Sequence, residues 1–435
     1  MKLNKEISKM KLPQNLEIGL MVKEHREQLE EGNITEDCYS FVLGQSPFPV
    51  PKPIKAALAK ATGENDYVEP EGIKALREKV KEFNRRHYDL DILLERILIG
   101  PGTKTILAML FQMLEGHFIL PTPAWVGYIP LLQVYCKSFE FLRMSAKDGF
   151  KVTPNKLRDI LKKTEEPSIF ILNNPQNPSG ALYSKSELIA LSKVFKEYDV
   201  TVIADEIYAL STYQEGSFTS MASIYPKKTF VTNGISKDRS SGGYRLGTLI
   251  LPEENKEKLF NMFTTYASSL YSNVSTPIQK ACLVAYADNE KIKTYMNDTR
   301  DIHRMLGDYF SQYCDKIPGL SASKPEGGFY FNLDFNGVKD KLNKKGITTA
   351  LKLCHALFDN PYKVALITGD ALGVDEDDFI SRIAFVDYDG EAILKAYRKA
   401  KPIGREEEIT FISKHLAHMQ KGFENIRQFI NDLDK

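Results

Sequence analysis

Several short apolar segments in this sequence are each followed by a group of small, charged or polar residues. Three of these groups contain residue types that can bind a ligand or take part in catalysis. Residues 101–104 (Pro-Gly-Thr-Lys) open a helical pattern directly after one such segment. Residues 205–208 (Asp-Glu-Ile-Tyr) and 235–237 (Ile-Ser-Lys) follow two others. Small residues at a helix start leave backbone N–H groups free to bind a phosphate, helped by the helix dipole. The first group therefore predicts an anion site, and the others add a carboxylate and a lysine.

The elements that must position these groups alternate between helical and strand patterns from about residue 50 onward. Residues 168–172 and 200–204 are short, apolar and rich in β-branched side chains, as in strands that are buried on both faces. Ser184 and Glu187 have the spacing of a capping box, which predicts a helix start. The alternation favours an α/β fold with a mostly parallel sheet covered by helices. Ligands bind such sheets at the carboxyl ends of the strands, where the three groups lie.

The length of the chain, 435 residues, favours two domains. We expect a large domain at residues 50–300 and a smaller α+β domain made of residues 1–49 together with 301–435. The last helical pattern places five apolar residues on one face, so it should pack against the protein. Residues 388–412 match no pattern that we can place, and we expect an insertion there.

The composition favours a small-molecule partner. Lys and Arg number 58 against 57 Asp and Glu, and this near-neutral balance gives no indication of nucleic acid. No segment approaches the roughly 20 apolar residues that span a bilayer, and the first residues lack the pattern of a signal peptide. The five cysteines are scattered, without the spacing of a metal site, which is typical of reduced thiols. We therefore expect a soluble cytoplasmic protein with no metal site and no membrane contact.

Taken together and in this order, the motifs resemble the class I/II aminotransferase family of fold-type I pyridoxal-phosphate enzymes, in particular aspartate aminotransferase-like members. The resemblance covers about residues 35–388. It depends most on Asn-x-x-Asn-Pro-Ser-Gly at 174–180, Asp-Glu-x-Tyr at 205–208, and Ser-Lys at 236–237 followed by Arg-x-Gly at 245–247. It implies pyridoxal 5′-phosphate as cofactor and a large domain with a sheet of the seven-stranded type.

The resemblance also implies a role for each matching residue. Lys237 is expected to be the Schiff-base lysine and the proton carrier, and Asp205 to keep the cofactor's ring nitrogen protonated. Asn177 and Tyr208 are expected to donate to the phenolic oxygen of the ring. Trp125 matches the residue that stacks on the ring, and it also borders the substrate. The residues expected to hold the phosphate are Gly102, Thr103, Lys104, Ser236 and Arg245.

Other matches concern the substrate and the assembly. Arg382 matches the arginine that binds the substrate α-carboxylate through two hydrogen bonds, with Asn177 beside it. Gly44 matches a loop that closes over the substrate. Tyr67 matches a tyrosine that reaches the phosphate of the neighbouring subunit, which implies a homodimer with shared active sites. Tyr128 is a second candidate for the ring face. Glu206 and residues 325–330 are expected to be structural.

The resemblance predicts an aminotransferase that moves an amino group between an L-amino acid and a 2-oxo acid. In some members a lysine at the position of Lys104 reaches a second carboxylate, which favours aspartate as donor and 2-oxoglutarate as acceptor. Aromatic or alanine-type substrates stay open, as does a lyase or a cyclopropane-forming synthase of the same fold. A pyridoxal-binding transcription regulator needs a DNA-binding module for which the residues before 40 are too few. No Gly-x-Gly-x-x-Gly follows the first strand, as a nicotinamide-dependent oxidoreductase would require.

Overall fold

A computed structural model of the chain describes residues 5–8, 14–136 and 138–435. No helix within these ranges is long and apolar enough to cross a membrane. The strands are β1 (Tyr39–Ser40), β2 (Ile97–Gly100), β3 (His117–Thr122), β4 (Ser138–Arg143), β5 (Ser168–Asn173), β6 (Thr201–Asp205), β7 (Thr229–Gly234), β8 (Gly247–Ile250), β9 (Ser321–Ala322), β10 (Tyr330–Asp334), β11 (Val364–Ala365), β12 (Ile367–Thr368) and β13 (Ile380–Ala384). The α-helices are α1 (Lys5–Ser8), α2 (Gln14–Glu30), α3 (Lys52–Ala61), α4 (Lys74–Tyr88), α5 (Thr103–Met113), α6 (Tyr128–Tyr135), α7 (Pro154–Leu161), α8 (Lys185–Glu197), α9 (Lys256–Tyr271), α10 (Thr276–Tyr286), α11 (Glu290–Asp315), α12 (Lys339–Lys344), α13 (Ala350–Phe358), α14 (Gly390–Ala400), α15 (Arg405–His415) and α16 (Ala417–Asp432).

Seven strands form one large sheet in the order β2-β8-β7-β6-β5-β3-β4, which confirms the predicted α/β fold. The strands β3 to β7 pair in parallel, whereas β8 runs antiparallel to both β2 and β7. The first residue of β8, Gly247, therefore pairs with Gly100 and Gly234, the last residues of β2 and β7. The reversal brings Arg245, just before β8, to the edge where the other strands end.

The strands and helices of this sheet follow from their sequences as expected. Residues 168–172 are all buried in β5, as predicted for a strand covered on both faces. The capping box that opens α8 is present, because the Glu187 backbone N–H donates to Ser184 Oγ at 3.2 Å and the Ser184 N–H donates to Glu187 Oε2 at 2.7 Å. Two of the four free N–H groups at this helix start are thereby satisfied.

A second, smaller group of strands is built from both ends of the chain. An antiparallel sheet has the order β12-β13-β10-β9, and β1 pairs in parallel with β11. The Asp387 carboxylate accepts hydrogen bonds from Arg26 Nη2 at 2.9 Å, the Ser40 N–H at 2.8 Å and His418 Nε2 at 3.1 Å. One half-buried carboxylate thus joins α2, β1 and α16. The predicted apolar face of the last helix is buried, as shown by Leu416, Met419, Phe423, Ile426 and Ile430.

The unplaced residues 388–412 form α14 and most of α15, which pack on the long helix α11. Asp298 of α11 is almost fully buried and accepts from Arg398 Nε at 2.7 Å and Lys401 Nζ at 2.6 Å. Arg304 of the same helix donates to Glu408 at 2.5 Å. The segment is therefore a helical layer attached to α11 by ion pairs.

Candidate active site

A cleft of about 510 Å³ opens where the strands of the large sheet end. Asn173 and Asp205 end β5 and β6, Ser236 follows β7, and Arg245 precedes the reversed β8. The walls include twelve of the residues predicted from the sequence, namely Gly44, Thr103, Lys104, Trp125, Tyr128, Asn177, Asp205, Tyr208, Ser236, Lys237, Arg245 and Arg382. Segments that are distant in the sequence therefore meet at one site.

One end of the cleft is electropositive. The helix α5 begins there after Gly102, which has φ 86° and ψ 157° and provides no side-chain cap to the first N–H groups. The guanidinium of Arg245 lies against Gly102 and donates to the Gly242 carbonyl at 2.9 Å and the Pro101 carbonyl at 3.4 Å. Burial, followed by the charge of Arg245, lowers the pKa of Lys104. This end therefore suits an anion of high charge such as a phosphate.

Asp205 provides a buried carboxylate in the same cleft. Tyr128 donates to its Oδ2 at 2.6 Å and Thr232 donates to its Oδ1 at 3.0 Å. Burial raises the pKa of Asp205, whereas these two hydrogen bonds act in the opposite direction. A carboxylate held in this way suits a cationic partner. The Tyr128 hydroxyl, predicted as a second candidate for the ring face, is turned to Asp205, and its ring contacts Trp125 edge to face at 5.1 Å.

Lys237 projects into the cleft between aromatic rings. Its Nζ donates to the Gly44 carbonyl at 2.5 Å and lies 5.6 Å and 5.5 Å from the ring centroids of Tyr208 and Phe329. The Tyr208 hydroxyl accepts from Asn177 Nδ2 at 3.4 Å. Burial raises the pKa of Tyr208 well above its ordinary value, so this phenol keeps its proton at neutral pH.

Arg382 is a buried cation at the other side of the cleft. It lies in β13, between β10 and β12, and only 2% of its surface is exposed, which excludes a solvent-facing arginine on an edge strand. Its Nη1 donates to Asn177 Oδ1 at 3.4 Å, its Nη2 donates to the Val42 carbonyl, and its Nε has no partner among the described residues. Burial lowers the pKa of Arg382. A guanidinium without a carboxylate partner suits a substrate carboxylate.

Two predicted residues lie outside the cleft walls. Gly102 lies behind Arg245, where an added Cβ would overlap the guanidinium. Tyr67 is 89% exposed in the single chain. Glu206 is buried and accepts from Ser220 Oγ at 3.0 Å and the Met221 N–H at 2.9 Å, in agreement with a structural role.

Sequence reasoning missed three contacts of the site. The hydroxyls of Thr232 and Tyr128 hold Asp205, and Tyr330 lines the cleft although residues 325–330 were expected to be only structural. Thr232 lies inside an apolar strand, so its polar side chain was the available signal. Tyr330 had no comparable signal, because its partners lie in distant segments.

Comparisons with known proteins agree with this geometry. Residues 37–389 match the family model described as aminotransferase class I and II. The asparagine–oxo-acid transaminase of Streptococcus mutans is 29% identical over 350 residues, covering 78% of this chain and 86% of that protein. The aspartate aminotransferase of Bacillus subtilis is 28% identical over 406 residues, covering 92% and 98%. The solved structure of the aspartate aminotransferase from Thermus thermophilus with maleate superposes with a TM-score of 0.81 at 23% identity, covering 99% of this chain and 100% of that one.

The family match covers most of the chain, including every strand of the large sheet and every residue of the cleft wall except Leu16. The chain therefore belongs to the class I and II aminotransferase family and is a transaminase that depends on pyridoxal phosphate.

Proposed function

We propose that the enzyme transfers the amino group of L-aspartate to a 2-oxo acid such as 2-oxoglutarate, with Lys237 as the residue that bonds to the cofactor and carries the proton. The observation that carries the proposal is the meeting of Lys237, Asp205, Arg245 and Arg382 in one cleft. Together these four residues supply an amine, a buried carboxylate, and a cation at each end of the cleft. The similarity to an asparagine–oxo-acid transaminase and to an aspartate aminotransferase supports the choice of donor.

The residues of the cleft fit pyridoxal 5′-phosphate. The start of α5, with the backbone N–H groups of Thr103 and Lys104 and the side chains of Ser236 and Arg245, would hold the phosphate, and the absent side chain of Gly102 gives Arg245 its place. Asp205 would pair with the protonated ring nitrogen, and its two hydroxyl donors favour the charged carboxylate. Trp125 would stack on the face of the cofactor ring, and Asn177 and Tyr208 would donate hydrogen bonds to its phenolic oxygen. The bound cofactor supplies an electron sink for the carbanion at the substrate's α-carbon.

The chain's own groups then orient the substrate and move its proton. Arg382 binds the α-carboxylate in competition with the Val42 carbonyl and Asn177, which occupy its fork in the free cleft. Because Arg382 lies in β13, binding of the α-carboxylate there fixes the direction of the substrate's Cα–H bond, which must break. The Nζ of Lys237 accepts the proton that leaves the α-carbon and holds it for the later step of the transfer. In the free cleft this Nζ donates a hydrogen bond to the Gly44 carbonyl at 2.5 Å, which keeps the amine at the cleft wall.

Lys104 supports a dicarboxylic substrate. Its Nζ lies 5.4 Å from the ring centroid of Trp125, and the side chain forms part of the cleft wall. It forms no ion pair with a carboxylate of the described residues, so a second substrate carboxylate could pair with it without breaking an existing one. Burial lowers the pKa of Lys104, and an anion bound there would oppose that shift.

The cofactor assignment is tested by Lys237→Ala. We expect loss of the visible absorbance of bound cofactor and loss of transamination, because no other amine takes the place of Nζ. Lys227→Ala is the matched control, since Lys227 is exposed and lies ten residues earlier in the chain. Turnover by Lys237→Ala at the wild-type rate, with the control unchanged, would refute the assignment.

The substrate assignment is tested by Lys104→Ala. A charge-assisted hydrogen bond contributes about 1.5–3 kcal/mol, so KM for aspartate should rise roughly 10- to 100-fold. KM for alanine, which has no second carboxylate, should change little. Equal effects on the two substrates would remove Lys104 from substrate recognition and leave the Lys237 assignment untouched.

We also propose a homodimer with shared active sites in the cytoplasm. The exposure of Tyr67 in the single chain leaves it available to a partner subunit, and five free cysteines are typical of a reducing compartment. Mixing Tyr67→Ala with Lys237→Ala subunits should restore activity if each site takes Tyr67 from the neighbour. No recovery after verified subunit exchange would show that each chain completes its own site.

A further inference from the structure

Tyr330 joins the two sides of the cleft, and the aminotransferase chemistry described above does not use it. It begins β10, is 1% exposed, and lies between Tyr208, Arg382 and the loop that contains Gly44. We propose that Tyr330 is a positioning residue with two separable roles: its hydroxyl orients the hydroxyl of Tyr208, and its ring supports the guanidinium of Arg382. The inference rests on the roles proposed for Tyr208 and Arg382.

The first role follows from a chain of hydrogen bonds. Asn177 Nδ2 donates to Tyr208 Oη at 3.4 Å, Tyr208 donates to Tyr330 Oη at 3.0 Å, and Tyr330 donates to the Gly44 carbonyl at 3.1 Å. A phenol has one proton, so Tyr208 cannot donate to Tyr330 and to a ligand at the same time. When Tyr208 donates to a ligand oxygen, the Tyr330 hydroxyl can turn and donate to Tyr208.

This reversal gives up the hydrogen bond to the Gly44 carbonyl. That carbonyl accepts from Lys237 Nζ at 2.5 Å in the free cleft, and it is only half-buried, so water can donate to it when Nζ is engaged elsewhere. The Tyr330 hydroxyl therefore has two hydrogen-bonded settings, one toward Gly44 and one toward Tyr208. In the second setting its donation strengthens the donor power of Tyr208, because successive hydrogen bonds polarise one another.

The second role follows from the position of the ring. The guanidinium carbon of Arg382 lies 4.9 Å from the centroid of the Tyr330 ring, within the range of a cation–π contact. Arg382 is nearly buried and its Nε has no partner among the described residues, so few other groups fix the plane of the guanidinium. An added Cβ at Gly44 would overlap the Tyr330 hydroxyl, which shows how closely the loop approaches this ring.

Two variants separate the roles. Tyr330→Phe removes the hydroxyl and keeps the ring, whereas Tyr330→Leu removes both. Tyr225→Phe is the matched control, because it removes one buried hydroxyl that donates to the Val200 carbonyl at 3.1 Å outside the cleft. Tyr208→Phe serves as reference for the hydroxyl role. The readouts are the pH at which the visible absorbance of the holoenzyme titrates, and KM for the amino-acid donor.

In Tyr330→Phe we expect the titration of the visible absorbance to move to higher pH, in the direction of Tyr208→Phe and by about a third of its shift. The direction follows because the deprotonated form carries the negative charge that Tyr208 stabilises. KM should stay within about twofold of wild type. In Tyr330→Leu, KM should rise about five- to tenfold as the support of Arg382 is lost.

The inference is overturned if Tyr330→Phe titrates like wild type while Tyr208→Phe is shifted, or if Tyr330→Phe raises KM as much as Tyr330→Leu. A shift of equal size in Tyr225→Phe would also overturn it, since the effect would then reflect general loosening. Should Tyr330→Leu fail to fold, Tyr330→Phe decides the hydroxyl role alone. These outcomes differ from failure of the proposed function, in which the wild-type holoenzyme itself would show no absorbance that depends on Lys237.

Discussion

Gly102 is the position where one added methyl group should disturb the electropositive end of the cleft, which we propose to bind the phosphate. Its backbone, at φ 86° and ψ 157°, lies in a region that residues with a side chain rarely adopt. An added Cβ would also overlap the Arg245 guanidinium, which lies directly against it. Gly102→Ala therefore has to shift either the start of α5 or Arg245.

The expected effects of Gly102→Ala on stability and on cofactor binding follow from the backbone strain and from the displacement of Arg245. Strain of this backbone type costs about 1–3 kcal/mol, which should lower the Tm of the apoenzyme by a few degrees. Loss of a charge-assisted hydrogen bond from Arg245 to the phosphate costs about 1.5–3 kcal/mol, so the Kd for pyridoxal phosphate should rise roughly 10- to 100-fold.

The measurement is a titration of folded apoenzyme with pyridoxal phosphate, followed by fluorescence or visible absorbance. Gly243→Ala is the matched control, because Gly243 also lines the cleft but an added Cβ there meets no atom within 4 Å. It should bind the cofactor as the wild type does. If Gly102→Ala binds with the wild-type Kd, the start of α5 and Arg245 do not hold the phosphate.

Two further predictions concern stability. Burial raises the pKa of Glu206 from 4.5 to about 8, so its protonated form contributes stability that is complete below about pH 4.5 and is lost as the pH rises through about 8. The Tm of Glu206→Gln should therefore rise relative to the Tm of the wild type as the pH is raised from 6 to 9. A Tm difference that stays constant over this range would contradict the prediction. Asp298→Asn should lower the free energy of unfolding by about 1–2 kcal/mol by weakening both ion pairs to α14. Its transamination rate should be unchanged, since Asp298 does not line the cleft, and a reduced rate would show coupling between α11 and the site.

The large sheet was predictable because its signals are local. Strand-end residues such as Asp205 and Lys237 could be placed together from short apolar segments and a general rule about parallel sheets. The direction of β8 was not predicted, although a signal existed: the link between β7 and β8 contains no helical pattern, and a parallel crossover usually needs one. The position of Arg245 in the cleft follows from that reversal.

Contacts between distant segments were not accessible from periodicity. Gly44 and Arg382 were assigned only through the family resemblance, since nothing in their own surroundings indicates that they meet. Tyr330 was missed for the same reason, because its three partners come from separate parts of the chain. Ion pairs such as those of Asp298 depend on side-chain directions that sequence spacing does not specify, which is why residues 388–412 could not be placed.

The joining of α2, β1 and α16 by Asp387 has a consequence for synthesis on the ribosome. Arg26 and Asp387 are 361 positions apart in the chain, so the contact cannot form until nearly the whole polypeptide has emerged. The large sheet, whose strands lie between residues 97 and 250, can assemble well before that time. Until Asp387 has been synthesised, α2 lacks this ion-pair partner, and the part of the cleft wall that comes from β10 and β13 is incomplete. A nascent chain paused before Asp387 should therefore resist protease across the large sheet while its first forty residues stay open to cleavage.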